Sequence, residues 1–404
     1  MTVAQMNFSR RGILRMTTAA TFLPLLSHRG FAGDWAATEA AAKGQTVYFN
    51  AWAGSEAINS YIAWAAAQLK ARYDVTLEHV KITDTAEVVR RVRDEVRVGK
   101  TDGSVDLVWI NGENFRTMKT EKLLFGPFVS ALPNFKYVDT EGKPTTLNDF
   151  AEPTEGLESP WGMAQLTFFG DGAKISKPPG SMGELVAFAK ANPGRVTYPA
   201  PPDFHGTTFV KQALIESLAD RSMLAQPIEM ADFARAAAPL FALLRSLHPH
   251  LWREGKQFPQ SQAQLKQMLA DGELLMAITF NPNEPANLVA SGELPGSTIA
   301  WQHREGTIGN THFVAIPINS KATAAAQAAA NFLLSPEAQG RKADLKIWGD
   351  PTVLAPAKLP AEEAKFFGTS TVPGSVTEPA PALPEPHGSW VPLIEKAWLE
   401  SYGT

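Results

Sequence analysis

Hydrophobic positions along this chain switch repeatedly between short apolar runs and longer segments with helical spacing. Residues 47–49 form an apolar run that predicts a buried strand, and residues 56–72 carry apolar side chains at the spacing of an amphipathic helix. Further strand-like runs lie at residues 75–80 and 105–110, with a second helical pattern between them. Strands and helices that alternate in this way indicate an α/β fold with a parallel sheet.

The alternation stops and then resumes in the middle of the chain. Residues 125–160 are rich in Pro, Gly and Asp and show no clear period, so they predict a long excursion. Strand-like runs return at residues 161–169, 274–280 and 311–318, and helical patterns lie between them. We therefore expect a second α/β unit in this part of the chain.

The region beyond residue 320 combines an Ala-rich helical pattern with a proline-rich stretch. Residues 321–334 predict a helix, and Ser335 followed by Pro336 is typical of the start of another. Residues 371–388 contain five prolines and are predicted to run extended over the surface. A short helix is expected at residues 393–402.

Polar and aromatic side chains cluster in the loops that follow the predicted strands. In parallel α/β sheets, ligands bind beyond the carboxyl ends of the strands, so these loops belong at a ligand-facing edge. The loop after residues 47–49 also leads into a helix N-terminus, where backbone N–H groups and the helix dipole point outward. The candidate ligand-binding residues in such loops are Trp52, Gly54, Ser55, Asn111, Glu113, Trp161, Asp203, His205, Thr207, Asn283 and Glu284.

The composition of these loops favours an organic cation as the ligand. Aromatic side chains stand beside several carboxylates, and no cluster of lysine or arginine accompanies them. We expect Trp52 and Trp161 to serve as aromatic platforms for the cation. Glu113 and Glu284 are expected to supply the counter-charges.

Two alternatives stay open at this point. A small anion would need no basic residue, because Ser55 and Thr207 are expected at helix N-termini. Individual residues also have structural interpretations, since Trp161 suits a buried core and Asp203 suits a turn.

Composition excludes several classes of protein. Two domains are the natural expectation for 404 residues, and the net charge of −4 argues against nucleic acid or an anionic membrane as the main partner. The absence of cysteine excludes disulfides, thiolate catalysis and a lipoprotein anchor. Neither HExxH nor GxSxG is present, and the eight histidines show no metal-ligand spacing. We therefore predict no catalytic residue, no metal site and no cofactor.

The N-terminal residues predict export from the cytoplasm. Residues 9–15, which read SRRGILR, resemble the bacterial twin-arginine signal, and residues 16–26 add an apolar run too short to span a bilayer. Residues 30–32 are suited to signal-peptidase cleavage. We expect a signal peptide over residues 1–32 and a soluble periplasmic protein; a basic amphipathic helix is the alternative.

Three stretches carry a resemblance to a known family. Residues 52–56 (WAGSE), 106–111 (DLVWIN) and 331–339 (NFLLSPEAQ) resemble the bacterial extracellular solute-binding proteins of ABC importers. Within that family the chain is most similar to the YnjB-like group, near the thiamine, polyamine, iron and sulfate binders. The resemblance covers essentially the whole chain after the signal peptide.

The resemblance implies a periplasmic binding protein-like fold of type II, with two α/β lobes joined by two crossover strands. The first lobe would comprise residues 44–164 plus 312–404, and the second residues 168–308. The hinge strands would lie near residues 165–169 and 309–317.

The same resemblance implies a function. The protein would capture a small solute between its lobes, as a monomer, and deliver it to a membrane permease and its ATPase. With the cation preference of the loops, the expected solute is a thiamine-like or polyamine-like cation. The alternatives are sulfate, a phosphate ester or chelated iron and, from another class, a periplasmic enzyme on the same scaffold.

The export signal can be tested directly. Replacing Arg10 and Arg11 with Lys should leave the precursor in the cytoplasm, because the paired arginine is the recognised feature. Cell fractionation followed by immunoblotting would measure this. Normal export of the double variant would contradict the prediction.

Overall fold

The computed structural model describes residues 35–368 and 372–403. The signal peptide predicted for residues 1–32 lies outside the described residues. Among the described helices, none is long and apolar enough to cross a membrane.

Strands and helices alternate along most of the described chain. The strands are β1 (Thr46–Trp52), β2 (Thr76–Ile82), β3 (Leu107–Ile110), β4 (Asn148–Asp149), β5 (Glu152–Pro153), β6 (Glu158–Gln165), β7 (Thr167–Asp171), β8 (Met276–Thr279), β9 (Thr298–Trp301), β10 (Thr307–Ala315) and β11 (Ala382–Leu383). The α-helices are α1 (Trp35–Ala42), α2 (Glu56–Tyr73), α3 (Thr85–Arg97), α4 (Gly112–Thr120), α5 (Met182–Ala191), α6 (Phe204–Ser217), α7 (Met230–Ala236), α8 (Ala238–Leu247), α9 (Gln262–Ala270), α10 (Glu284–Ala290), α11 (Thr323–Leu333), α12 (Pro336–Ala343), α13 (Ala361–Ala364) and α14 (Trp390–Tyr402).

The first lobe is built on a mixed sheet. Within the described residues its strand order is β11-β10-β3-β1-β2, and β6 also pairs with β10. Strand β1 runs parallel to β2 and β3, whereas β10 runs antiparallel to β3 and β6. Helices α2 and α11 pack in one hydrophobic core on this sheet, and α3 and α4 pack in another. The predicted α/β class is confirmed.

A buried carboxylate fixes the central strands of this sheet. Asp106, which precedes β3, accepts a hydrogen bond from the backbone N–H of Tyr48 at 3.0 Å. It also accepts bonds from the Ser320 hydroxyl at 2.8 Å and from the backbone N–H of Ala322 at the start of α11. Because a buried carboxylate needs several donors, Asp106 holds β1, β3 and α11 in one arrangement.

The second lobe has its own sheet and its own core. Strands β8, β7 and β9 form an antiparallel sheet in that order among the described residues. Phe168, Phe169, Tyr198, Phe209 and Leu240 are among the buried residues that share one hydrophobic cluster. Because β7 and α6 both contribute to this cluster, the sheet and its helices form one packed unit.

The chain leaves the first lobe at Leu166 and returns through residues 302–306. Strand β6 belongs to the first sheet and β7 to the second, so the change occurs at the single residue between them. The return lies before the predicted hinge at 309–317, because β10 is paired with β6 from Gly309 to Ala315. The lobe boundaries given by the sequence otherwise stay a prediction.

Helix α14 corrects one of those boundaries. Trp390, Ile394 and Trp398 of this helix lie in the core of the second lobe, and the Trp398 indole donates a 2.8 Å hydrogen bond to the Tyr198 hydroxyl. Assigning all of residues 312–404 to the first lobe is therefore wrong at its end, because the apolar face of α14 is buried against α6.

Residues 379–389, named here the C-terminal strap, connect the lobes across the hinge. The Gln165 amide donates to the backbone carbonyl of Ala380 at 3.1 Å, and β11 pairs with β10. Glu385 and His387 are only 5% and 6% exposed. The predicted course over the surface is wrong for residues 385–388, which are buried, whereas Pro379, residues 381–382 and Pro384 are exposed as expected.

The place of α14 in the second core yields a stability test. Trp398→Ala should lower the free energy of unfolding by about 3–5 kcal/mol, since it leaves a cavity where a fully buried indole packed. Leu399→Ala is the matched control, because Leu399 is 44% exposed and its loss should stay within about 0.5 kcal/mol. Urea denaturation measures both changes. Equal effects of the two substitutions would contradict this placement of α14.

Candidate functional site

The two lobes meet at the N-terminal ends of α4 and α6. Helix α4 begins directly after β3, at the carboxyl edge of the first sheet, and α6 begins after the loop that precedes Phe204. Gly388, just before α14, lies against the backbone of Glu113 in the first turn of α4. We call the space bounded by α4, α6, α14 and the strap the cleft.

A buried ion pair lies at the centre of this cleft. The Lys211 ammonium of α6 donates to Glu385 of the strap at 2.7 Å, and both side chains are 2% exposed. Asn310 of β10 donates to the other oxygen of Glu385 at 2.9 Å. A helix of the second lobe, the strap and a hinge strand are therefore joined by one carboxylate.

Two aromatic rings flank the same ammonium. The Lys211 nitrogen lies 4.5 Å from the ring centroid of Phe150, in the excursion of the first lobe, and 5.7 Å from that of Phe204 in α6. Both distances are within the range of a cation–π contact. Because the rings come from different lobes, the ammonium bridges the lobes as well.

Several carboxyl groups surround this ion pair. Burial raises the pKa of Glu395 to about 7, and the neighbouring Glu113 adds to the increase. Burial also raises the pKa of Glu113 and lifts the pKa of Asp149 well above its usual range. The Glu385 carboxylate raises the pKa values of Glu113 and Asp149 further, whereas the Lys211 ammonium lowers them. The site therefore carries more carboxyl groups than its lysine neutralises.

A cavity of about 240 Å³ adjoins the ion pair. It is lined by residues between 144 and 151 of the first lobe, by Gly309 and Asn310 of β10, and by Pro384 and Glu385 of the strap. The side-chain oxygen of Asn310 is buried and has no hydrogen-bond partner among the described residues. A solute with an N–H donor would satisfy that oxygen.

The candidates of the first lobe lie at the carboxyl edge of the first sheet, after β1 and β3 and at the starts of α2 and α4. Trp52 ends β1 and is 37% exposed, and its indole covers Gly54 so closely that a Cβ there would come within 2.2 Å of the ring. Ser55 and Asn111 are the N-caps of α2 and α4, although within the described residues neither side chain bonds to the amides of its helix. Glu113 borders the carboxyl groups described above. Ligand contact by these five residues stays a prediction.

The candidates at the start of α6 are largely committed to other groups. Asp203 is the N-cap and accepts hydrogen bonds from the backbone N–H groups of His205 and Gly206 at 2.9 and 3.2 Å. The Thr207 hydroxyl donates to Glu395 at 2.8 Å. Thr207 and Glu113 therefore lie near the same carboxyl group, that of Glu395 in α14. Asp203 instead caps the N-terminus of α6.

The candidates after β8 are bonded to groups other than the ion pair. Asn283 donates a 2.7 Å hydrogen bond to the backbone carbonyl of Gly349 in the first lobe. Glu284 accepts hydrogen bonds from Lys266 at 2.5 Å and from Gln262 at 2.9 Å. Burial opposes ionisation of Glu284, but Lys266 outweighs it and holds the pKa of Glu284 below its usual value. The expected counter-charge is corrected here, because Lys266 already neutralises Glu284.

Trp161 lies in the core of the first lobe. Its side chain is fully buried, and its ring centroid is 4.8 Å from that of Trp109 and 5.5 Å from that of Trp348. The expectation that Trp161 is an open platform for a ligand is corrected by this burial. The alternative interpretation of Trp161 as a core residue describes its surroundings.

The sequence analysis missed seven residues of the cleft: Asp149, Phe150, Phe204, Lys211, Asn310, Glu385 and Glu395. Lys211 did leave a signal, because it interrupts the apolar residues 209–215 of a helix, and lysine is seldom buried without a partner. Glu385 lies in the proline-rich stretch that was expected at the surface. Within the described residues, no group of three His, Cys, Asp or Glu side chains is arranged to hold a metal ion.

Comparisons with known proteins agree with this architecture. The model of a family described as bacterial extracellular solute-binding protein matches residues 64–365. Protein YnjB of Escherichia coli (strain K12) is 49% identical over 383 residues, which cover 95% of this chain and 97% of YnjB.

Solved structures show the same fold at low sequence identity. The substrate-binding protein PotD of a spermidine/putrescine ABC transporter from Streptococcus pneumoniae superposes with a TM-score of 0.61 at 14% identity, over 89% of this chain and 100% of PotD. A periplasmic thiamin binding protein gives a TM-score of 0.61 at 17% identity, over 88% of this chain and 95% of its own.

Two sheet-containing lobes around a cleft are the type II periplasmic binding protein-like fold. The chain belongs to the bacterial extracellular solute-binding protein family. Proteins of this class bind small solutes for ABC importers and interact with the permease.

The raised pKa of Glu395 predicts a pH-dependent stability. Its ordinary value is 4.5 and its value in the folded protein is about 7. Below pH 4.5 the carboxyl is protonated in both states; as the pH rises towards 7, ionisation favours the unfolded state. The free energy of unfolding of Glu395→Gln, taken relative to that of the unsubstituted protein, should therefore increase by on the order of 2 kcal/mol from pH 4.5 to pH 8.

Urea unfolding at both pH values measures this difference. Glu400→Gln is the control, because Glu400 lies on the exposed side of the same helix. If the Glu395→Gln difference does not change with pH, the carboxyl is not buried as described.

Proposed function

We propose that the protein captures a small organic cation in the cleft between its lobes. The observation that carries this proposal is the surplus of carboxyl groups beside the Lys211–Glu385 pair, of which Asp149 is buried and Glu113 and Glu395 are half-buried. Burial has raised the pKa of each of these three groups, and a bound cation would let them ionise. A positively charged solute therefore stabilises the closed cleft, because its charge neutralises the ionised carboxylates.

The aromatic surfaces of the cleft suit the same ligand. Phe150 and Phe204 flank an ammonium group already, and one desolvated cation–π contact contributes about 2 kcal/mol. Trp52, at the end of β1, remains a further candidate aromatic platform for the cation. Glu113 remains a proposed counter-charge. Trp161 is no longer proposed as an aromatic platform, and Glu284 is no longer proposed as a counter-charge.

The cavity limits the size of the solute. Its 240 Å³ correspond to the liquid volume of about eight water molecules. A compact amine fits this space, and a larger cation would extend beyond it. The names of PotD and the thiamin binding protein refer to cationic solutes, but the likeness to them is one of fold, so the ligand class rests on the cleft.

The alternative of a small anion is disfavoured by two contacts. The Asp203 carboxylate already accepts the first free N–H groups of α6, where an anion would bind. The Thr207 hydroxyl donates to Glu395. An anion there would also face the carboxyl groups of the cleft.

We further propose how the protein is placed in its transport system. It would be exported through the twin-arginine route and would work as a soluble monomer in the periplasm. It would deliver its solute unmodified to the permease and the ATPase of an ABC importer. A periplasmic enzyme on this scaffold would consume the solute, whereas a binder would titrate with it stoichiometrically.

A ligand panel tests the proposed class. Thermal-shift assays with amines, thiamin, sulfate, phosphate esters and iron chelates should show stabilisation by cations. For the cation that binds, Glu113→Gln should weaken affinity at least tenfold in calorimetry, because an amide cannot ionise beside it.

Glu284→Gln is the matched control and should leave the affinity unchanged, since Lys266 already pairs with Glu284. Stabilisation by anions or iron chelates alone would refute the cation class. Unchanged cation affinity in Glu113→Gln would remove Glu113 from the site.

A further inference from the structure

The surroundings of Lys211 are those expected for a bound alkylammonium ligand. Its ammonium has a carboxylate at 2.7 Å and two aromatic faces within 6 Å, and the side chain is almost fully buried. Cages of this composition recognise ammonium groups of ligands. Here the group is supplied by the chain itself.

The cage is not filled by Lys211 alone. The cavity shares Phe150, Asn310 and Glu385 with it, so there is room for a solute beside the internal ammonium. The Asn310 oxygen is buried and has no hydrogen-bond partner among the described residues, and Asn310 lines the cavity. It is an acceptor that a second ammonium would satisfy.

The first lobe contains a buried lysine of a different kind. Lys342 pairs with Asp350, which also bonds to His312 at 3.1 Å, so that carboxylate is shared by two basic groups. Around Lys211 the carboxyl groups outnumber the basic group, because its ammonium interacts electrostatically with Glu113, Asp149, Glu385 and Glu395. Lys211 therefore pairs with only one of these carboxyl groups, and the other three are left to ionise beside a bound cation.

We propose that Lys211 determines the charge of the solute. Its side chain is an internal cation that occupies one ammonium position of the cleft. The adjoining cavity therefore accepts a solute with one positive charge fewer than the site would bind without Lys211. The inference rests on the proposed cation-binding function. Removing the Lys211 charge should shift preference towards a solute with an additional ammonium.

Butylammonium and 1,4-diaminobutane are suitable probes, because they share a four-carbon chain and differ by one charge. Calorimetry gives the ratio of their dissociation constants, monoammonium over diammonium. In Lys211→Met this ratio should rise at least tenfold over the unsubstituted protein. Lys266→Met removes a lysine of the same lobe that lies outside the cleft, and should leave the ratio within twofold.

Glu385 provides the opposite change. Glu385→Gln keeps the internal ammonium and removes one negative charge, so the ratio should fall at least tenfold. The double variant Lys211→Met with Glu385→Gln restores the net charge, and its ratio should return close to that of the unsubstituted protein. These two variants decide the matter if Lys211→Met, which leaves Glu385 unpaired, fails to fold.

The outcomes separate this inference from the proposed function. If both probes bind and the ratio stays constant in the variants, Lys211 does not set the charge, although the cation class stands. If both probes bind more tightly to Lys211→Met by the same factor, Lys211 competes with the solute for the cage, and the inference is wrong. If neither probe nor any other cation binds the unsubstituted protein, the proposed function fails and the inference with it.

Discussion

The arrangement of the cleft depends on the buried ion pair between Lys211 and Glu385. Removing two charges from water is costly, and the pair is stable because Asn310 supplies a further hydrogen bond and aromatic faces cover the ammonium. Breaking such a pair leaves an uncompensated charge and costs roughly 3–5 kcal/mol. This pair joins the strap to α6 and β10, which explains why residues 385–388 are buried in the cleft, whereas the strap before them is largely exposed.

A second set of contacts joins the lobes away from the ion pair, and it has a different character. The amides of Asn281, Asn283 and Asn287 donate to the backbone carbonyls of Trp348 and Gly349 at 2.7–3.1 Å. Neutral hydrogen bonds of this kind are readily exchanged for bonds to water, so their net contribution is about 1 kcal/mol each. The two lobes therefore separate most easily at this side, whereas the ion pair and the strap keep the other side together.

The sequence was sufficient for local structure and insufficient for the composition of the cleft. Strand β1 and helix α2 follow from periodicity, and the Ser335 hydroxyl caps α12 as its position before Pro336 indicated. Glu113 and Thr207 were singled out because loops after strands share an edge, and the structure brings both close to Glu395, but their contact with a ligand stays a prediction. Lys211 and Glu385 are 174 positions apart, and no local pattern reports a pairing of that separation. Trp161 was misjudged because a tryptophan at a strand suits a core and a ligand platform equally well.

The contribution of α14 to the second core has a consequence for the order of folding. Domains usually fold as units during synthesis, the N-terminal one first. Here the second core lacks Trp390, Ile394 and Trp398 until α14 is made, and the first sheet lacks β10 until the second lobe has been translated. Neither lobe is a continuous segment. The nascent chain consequently holds incomplete hydrophobic cores in both lobes for most of its synthesis, and the core of the second lobe becomes complete only when α14 has been made.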